Sequence, residues 1–262
     1  MSTDKTTLGD RIKSYEAAST SRCAVKGEPI IARLDGRAFH TFTQGLERPY
    51  DARLSALMSE TLKALVENTG AKIGYQQSDE ISLVWYVPAD STTQYPHGGR
   101  FQKLDSLLAA YASSYFNSRI PKLLPEKSGT LALFDARTFS VPDLQTAYEC
   151  LLWRQRDSLK NSISMAAQSV CSHRELQGLN GLQMKTLMAE RGLEYSRLPE
   201  FFKLGVFAQR TKVSRRLSVE ELAKLPECAR TDGLVVRPVT SLVHINLEHL
   251  ADPIEQLFGL QL

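Results

Sequence analysis

Two short segments carry carboxylates in settings that invite chemistry. Asp35-Gly36-Arg37 closes the apolar run Ile30 to Leu34, and Ser78-Asp79-Glu80 forms the polar tip between two β-forming stretches. Asp35, Asp79 and Glu80 are hard oxygen donors. Two divalent cations held by a few carboxylates and completed by triphosphate oxygens are the usual machinery of nucleotidyl transfer. Gly36 lets the backbone approach an ion or a phosphate and offers its carbonyl as a ligand. Arg37 supplies a cation, the N–H groups from Arg37 through Ala38 and Phe39 to His40 form a candidate phosphate nest, and Ser78 sets a hydroxyl beside Asp79. A plain Asp-Gly turn and a solvated hairpin tip explain the same residues without chemistry. Asp135 reads as an ion-pair or capping residue beside Arg137.

Position decides between those readings. After the strand Ile30–Leu34, Leu54, Leu57, Met58, Leu62, Leu65 and Val66 fall on one helical face between about Asp51 and Asn68. Two strands over Lys72–Gln76 and Glu80–Tyr86 then make a hairpin. A polar link, Ser91 to Arg100, leads to a second amphipathic helix with Leu104, Leu107, Leu108, Tyr111 and Tyr115, and a last strand covers Thr130–Phe134. The order β-α-β-β-α-β predicts an α+β, ferredoxin-like core. In that topology the first and third strands are antiparallel neighbours, so Asp35 is expected beside Asp79 and Glu80.

After Pro142 the pattern turns helical, most clearly from Gln145 to Gln168. The chain therefore divides into a catalytic region, 1–142, and a helix-rich region, 143–262, packed on it. Lys203, Arg210, Lys212, Arg215 and Arg216 surround Phe207 and Val213, the best local candidate for a phosphate-facing patch. The 262 residues are 42% hydrophobic with net charge +3, enough for one sizeable core and compatible with a polyanionic partner without demanding one. Cys23, Cys150, Cys171 and Cys228 lack metal or disulfide spacing, and no run approaches the roughly 18 apolar residues of a membrane span. A soluble, cytoplasmic protein is expected.

Arg33-Leu34-Asp35-Gly36-Arg37-Ala38-Phe39-His40, then Gln77-Ser78-Asp79-Glu80, then Trp153-Arg154-Gln155-Arg156-Asp157 resemble the tRNA(His) guanylyltransferase superfamily in sequence, order and separation. The resemblance starts near Leu8, where LGDRIKSYE looks like the family's opening helix, and weakens in the final stretch. It implies a polymerase-palm core that adds nucleotides in the 3′–5′ direction to tRNA 5′ ends, with two magnesium ions and often a homo-tetramer. By position, Asp35, the Gly36 carbonyl and Asp79 would hold the metals. Asp35 to His40, with Ser78 and Asp79, would bind the nucleoside triphosphate, GTP or another. ATP would activate the tRNA 5′-monophosphate. Lys103, with Arg100, is similar to the family's basic triphosphate contacts. Arg154, Gln155, Asp157 and Asn161 would serve tRNA or the activation step, or else packing around Trp153.

One departure matters. Eukaryotic members carry a His-Ile-Asn-Asn-type segment where this chain reads Leu159-Lys160-Asn161-Ser162. The missing histidine shifts the expectation from tRNA(His) alone towards template-matched repair of truncated tRNA 5′ ends, as in the bacterial and archaeal guanylyltransferase-like members. Strict addition of one guanosine to tRNA(His) is the alternative. Two other classes share the topology: nucleotide cyclases, which carry a Gly-Gly-type acidic hairpin in place of Gln-Ser-Asp-Glu, and non-catalytic RNA-binding modules, which need exposed strand aromatics such as Tyr75 and Tyr86.

Overall fold

The computed structural model describes residues 5–227 and 233–259. Helix α1 (Lys5–Thr20) precedes strand β1 (Ile30–Gly36), the one-turn α2 (Phe39–Phe42), α3 (Ala52–Thr69), strands β2 (Ile73–Gln77) and β3 (Glu80–Trp85), α4 (Phe101–Leu123) and β4 (Phe134–Ser140). The second half adds α5 (Leu144–Val170), α6 (His173–Leu176), α7 (Gly181–Glu190), α8 (Glu200–Leu204), β5 (Val206–Arg216), α9 (Val219–Ala223), β6 (Leu234–Val243) and α10 (Pro253–Phe258). These strands form one antiparallel sheet in the order β4-β1-β3-β2-β5-β6. The chain is therefore a mixed α+β protein, with β1 beside β3 and Asp35 opposite Glu80, as the pattern requires.

Strand alternation sends successive side chains to opposite faces and so fixes where the carboxylates point. Ile30, Ala32 and Leu34 join one core with Ile81 and Leu83 of β3 and with α3 and α4, through Leu57, Leu62, Leu104 and Phe116. Ile31 and Val84 join the opposite core with Tyr75, Phe207, Leu144, Leu151 and Leu257, so α5 and α10 cover that face. Asp35 is in phase with Ile31, and Glu80 with Val84. Both carboxylates consequently emerge on the α5 side, at the end of the sheet.

The structure moves two expectations. The strand expected over Thr130–Phe134 begins at Phe134 and runs to Ser140. Leu131 and Leu133 are 76% and 45% exposed, while Ala132 between them is held through its N–H and C=O by the Asn117 side chain of α4 at 3.0 and 2.7 Å. That alternating apolar run is tied to a helix instead of to a strand. The region after Pro142 is not helical throughout. Val206–Gln209 of β5 pair with Gln76–Ile73 of β2, extending the same sheet. Beyond them, Arg210–Arg216 and Leu234–Thr240 continue alone as a two-stranded ribbon. The cations that signalled a patch thus concealed a strand.

Gly205 makes the entry to β5 possible, with φ at 77° and no room for a Cβ, which would lie 2.4 Å from the Gln76 carbonyl oxygen. Cys23, Cys150 and Cys171 are free thiols, and Cys228 lies outside the described residues. No helix among the described residues is long and apolar enough to cross a membrane.

Candidate active site

The hairpin tip is built in two residues, because Gln77 pairs with Glu80 and only Ser78 and Asp79 remain to turn the chain. Ser78 takes a left-handed φ of 47°, which costs a non-glycine residue about 1 kcal/mol. Buried Gln76 steadies this turn by donating its side-chain N–H to the Ser78 carbonyl at 2.8 Å. The Asp79 carbonyl in turn accepts the Gly36 N–H at 3.2 Å, fastening the end of β1 to the tip. Position 36 must be glycine for a packing reason as well, since a Cβ there would sit 2.3 Å from the Phe39 ring. Ala38 then adopts φ 55° and starts α2.

Asp79 is half-buried, and its carboxyl is pushed above the ordinary range, first by burial and then by the negative charges of Asp35 and Glu80. Among the described residues no salt bridge reaches Asp35 or Asp79. Glu80 is different. Arg154 of α5 holds both of its oxygens, Nε to Oε1 at 2.6 Å and Nη2 to Oε2 at 2.7 Å, with each side chain only 12% exposed. The same guanidinium reaches Asp157 at 3.1 Å, and Asn161 donates to Asp157 at 3.2 Å.

Two cavities meet at the hairpin tip. The first, about 490 Å³, is bounded by Asp35, Asp79, Glu80, Arg154, Asn161 and the rings of Tyr50, Phe201 and Phe202. The second, about 510 Å³, lies over Gly36, Ala38, His40, Glu47 and Asp51. Ser78, Asp79, Tyr50 and Leu54 line both. Among the described residues no three His, Cys, Asp or Glu side chains converge as a ready-made metal cage. The donors present are instead two uncompensated carboxylates and nearby carbonyl oxygens. That set suits Mg²⁺, which binds through one or two carboxylates and completes its shell with water and substrate phosphates.

Residues 9–142, about half of the chain, match the family model described as tRNAHis guanylyltransferase. The chain belongs to the tRNAHis guanylyltransferase family. The members of that family are nucleotidyltransferases. The chain is 28% identical to the tRNA(His) guanylyltransferase of Saccharomyces cerevisiae, over 76% of this chain and 88% of that one. It is 31% identical to an uncharacterized protein of Acanthamoeba polyphaga mimivirus, over 78% and 77%. Among solved structures, a bacterial tRNA(His) guanylyltransferase-like protein in complex with ATP superposes with a TM-score of 0.72 at 37% identity, covering 78% of this chain and 87% of that one. Such a protein in complex with GTP gives 0.69 at 30% identity, covering 95% and 94%.

The residues that family resemblance nominates separate into groups. Asp35, Ser78, Asp79, Glu80, Arg154 and Asn161 come together at the first cavity, and Gly36, Ala38, Phe39 and His40 line the second. The expected nest is shorter than Arg37–His40, because the Arg37 N–H is taken by the Leu133 carbonyl at 2.8 Å. Arg37 lines neither cavity. Phe39 is 4% exposed, its ring packed on Phe42, Phe116 and Phe134. Gln155 is 3% exposed and bonds only backbone, giving its amide N–H groups to Leu204 and Ile245 and accepting from Leu247, so it ties α5 to the C-terminal segment. Lys103 is remote within this chain. α4 starts where the Arg22 carbonyl accepts the Phe101 N–H, near the Ile30 end of β1, and reaches the Gly36 end only at Ser113 and Asn117. Asp135 pairs with Arg137 at 3.4 Å on the surface, as expected.

The pattern missed Tyr50, Asp51, Gln76, Phe201 and Phe202. Asp51 caps α3 by accepting the Arg53 N–H at 2.9 Å and pairs with the Arg53 guanidinium at 2.7 Å, which hold its carboxyl down at about 2. Its place immediately before α3 was the available signal. Phe201 and Phe202 arrive from more than a hundred residues away, and nothing local announces them.

Proposed function

We propose that this chain adds nucleotides to tRNA 5′ ends in the 3′–5′ direction, on a ferredoxin-like palm spanning 1–142, with 143–262 packed on it and contributing to tRNA binding. The observation that carries this is the pair of nucleotide-sized cavities that meet at Asp79, with Asp35 beside it in the first. A transfer reaction needs two reactants at one phosphorus, and the site has a seat on each side of its uncompensated carboxylates. The strand order β4-β1-β3-β2, with α3 and α4 on one face, supports the palm reading.

In this scheme Asp35, Asp79 and the Gly36 carbonyl would hold two Mg²⁺, which when bound neutralise charge developing on the phosphoryl and leaving groups. The N–H groups of Ala38, Phe39 and His40 donate to triphosphate oxygens of GTP or another nucleotide in the second cavity. The tRNA 5′-phosphate, activated by ATP or already a triphosphate, comes from the first. Attack by the incoming 3′-hydroxyl forms the new O–P bond and breaks the bond to the leaving AMP or pyrophosphate. Arg154 holds both oxygens of Glu80, so Glu80 positions the tip.

Template-matched repair is favoured over strict tRNA(His) maturation by Leu159 in place of histidine, and by the 37% identity to the bacterial guanylyltransferase-like structure against 25% to the Saccharomyces cerevisiae enzyme structure. The non-catalytic RNA-binding reading loses its stacking face, since Tyr75 is fully buried and Tyr86 packs on the α5-side core. A cytoplasmic homo-tetramer is the assembly proposed, supported by exposed apolar residues Leu8, Ile12 and Tyr15 on α1. The test is extension of several tRNAs lacking one or two 5′ nucleotides, offered each nucleotide in turn. Repair predicts addition of whichever nucleotide pairs with the opposite strand. One guanosine on tRNA(His) alone would establish the strict activity instead.

A further inference from the structure

One wall of the first cavity takes no part in the carboxylate chemistry. Tyr50, from the loop before α3, meets Phe201 and Phe202 of α8 at centroid distances of 5.2 and 5.1 Å, the first pair at 89°. All three rings are only partly buried and line the cavity that contains Asp35 and Asp79. Partly open rings facing a polar cleft offer π-faces that any base can stack on.

Charge decides which reactant that base belongs to. A triphosphate needs donors or cations along its length, and the left-handed turn at Ala38 presents backbone N–H groups to the second cavity. The first cavity has one cation in its lining, Arg154, and it is already committed to Glu80 and Asp157. That side suits the base end of a reactant, whose reacting phosphate would lie at the Asp35 and Asp79 end of the cavity. Uncharged polar residues of α5, Ser158, Asn161, Ser164 and Gln168, line the same cavity at helical spacing. Ser164 and Gln168 continue into a smaller pocket with His173 and Gln177. Uncharged donors and acceptors beside an aromatic face are how proteins read an unstacked RNA strand.

The geometry points to Tyr50 and Phe201 as a stacking platform for the 5′-terminal base of the tRNA, with the polar face of α5 as the track for the adjoining strand. This deepens the proposed nucleotide addition and rests on it for the identity of the RNA. Stacking there sets the terminal nucleotide so that its 5′-phosphate meets Asp35 and Asp79, and it gives the RNA a seat separate from the triphosphate's.

The test places 2-aminopurine at the 5′-terminal position of a tRNA transcript and follows its fluorescence as the full-length protein binds. GTP binding is measured separately by equilibrium dialysis. Quenching is expected with the wild-type chain and with Phe201→Trp. Phe201→Ala and the volume-keeping Phe201→Leu should lose the quenching and weaken RNA binding about tenfold, while the dissociation constant for GTP stays within about twofold. Equal quenching in all four proteins would overturn the platform. So would weakened GTP binding with RNA binding intact, which would give the rings to the triphosphate. A wild-type chain that adds no nucleotide to any tRNA would remove the proposed activity, and the quenching comparison would still decide the platform.

Discussion

Asp79 and Glu80 are adjacent in sequence and opposite in environment. Glu80 begins a strand, points to the α5 face and meets a bidentate arginine. Asp79 occupies the turn, half-buried beside Asp35, with no protein cation to balance it. The contrast shows how one hairpin tip divides its labour. The carboxylate with a cationic partner fixes the architecture, and the carboxylate without one leaves charge for something bound to satisfy.

The sharpest way to break that contrast is Asp79→Asn. Nucleotide addition should fall by at least about a hundredfold. Yet in EDTA the melting temperature should rise by about 2–4 °C, because buried like-charge repulsion is removed. Equal or lower stability in EDTA would mean that hydrogen bonds to the Asp79 carboxylate outweigh its repulsion from Asp35 and Glu80. Arg154→Ala should do the reverse, destabilising the fold by about 3 kcal/mol in denaturant titration by stranding Glu80 as an unpaired, mostly buried charge. Arg154→Lys should recover only part of the loss, since one ammonium cannot span both oxygens.

Asp51 sharpens the comparison from a third side, as a carboxylate served by donors on its own helix. Its pKa is lowered to about 2 from 3.8, so its stabilisation is present above about pH 4 and is lost as pH falls through about 2. Asp51→Ala should cost about 1 kcal/mol at neutral pH and flatten that part of the acid-unfolding curve. The smallest effect is expected from Lys103→Ala, within about twofold in kcat/KM, because Lys103 sits away from both cavities. A hundredfold loss would mean that a second copy of the chain brings Lys103 to the site.

Sequence alone made the meeting of Asp35 with the hairpin tip legible, because strand alternation and the β-α-β-β-α-β order leave one antiparallel register for β1 and β3. It misled where side-chain character and backbone state part company. Leu131 and Leu133 alternate like strand residues but face outward, and the Arg210 to Arg216 stretch, read as a phosphate-facing patch, is also a paired strand that its charges did not announce. Gln155 sits in a family motif beside Arg154, and only the fold shows that one residue faces the cavity and the other faces backbone. Long-range contacts such as Tyr50 with Phe201 have no local signature, since they depend on where α8 lands across the sheet.

The most direct test is Mg²⁺-dependent transfer of labelled GTP onto a 5′-triphosphorylated tRNA, run under single-turnover conditions with the wild-type chain and with Asp35→Ala and Asp79→Ala. Activity that rises with Mg²⁺ in the wild type and is absent from both variants is the predicted result. Transfer retained by either variant, or transfer by the wild type in EDTA, would contradict chemistry at the Asp35 and Asp79 pair.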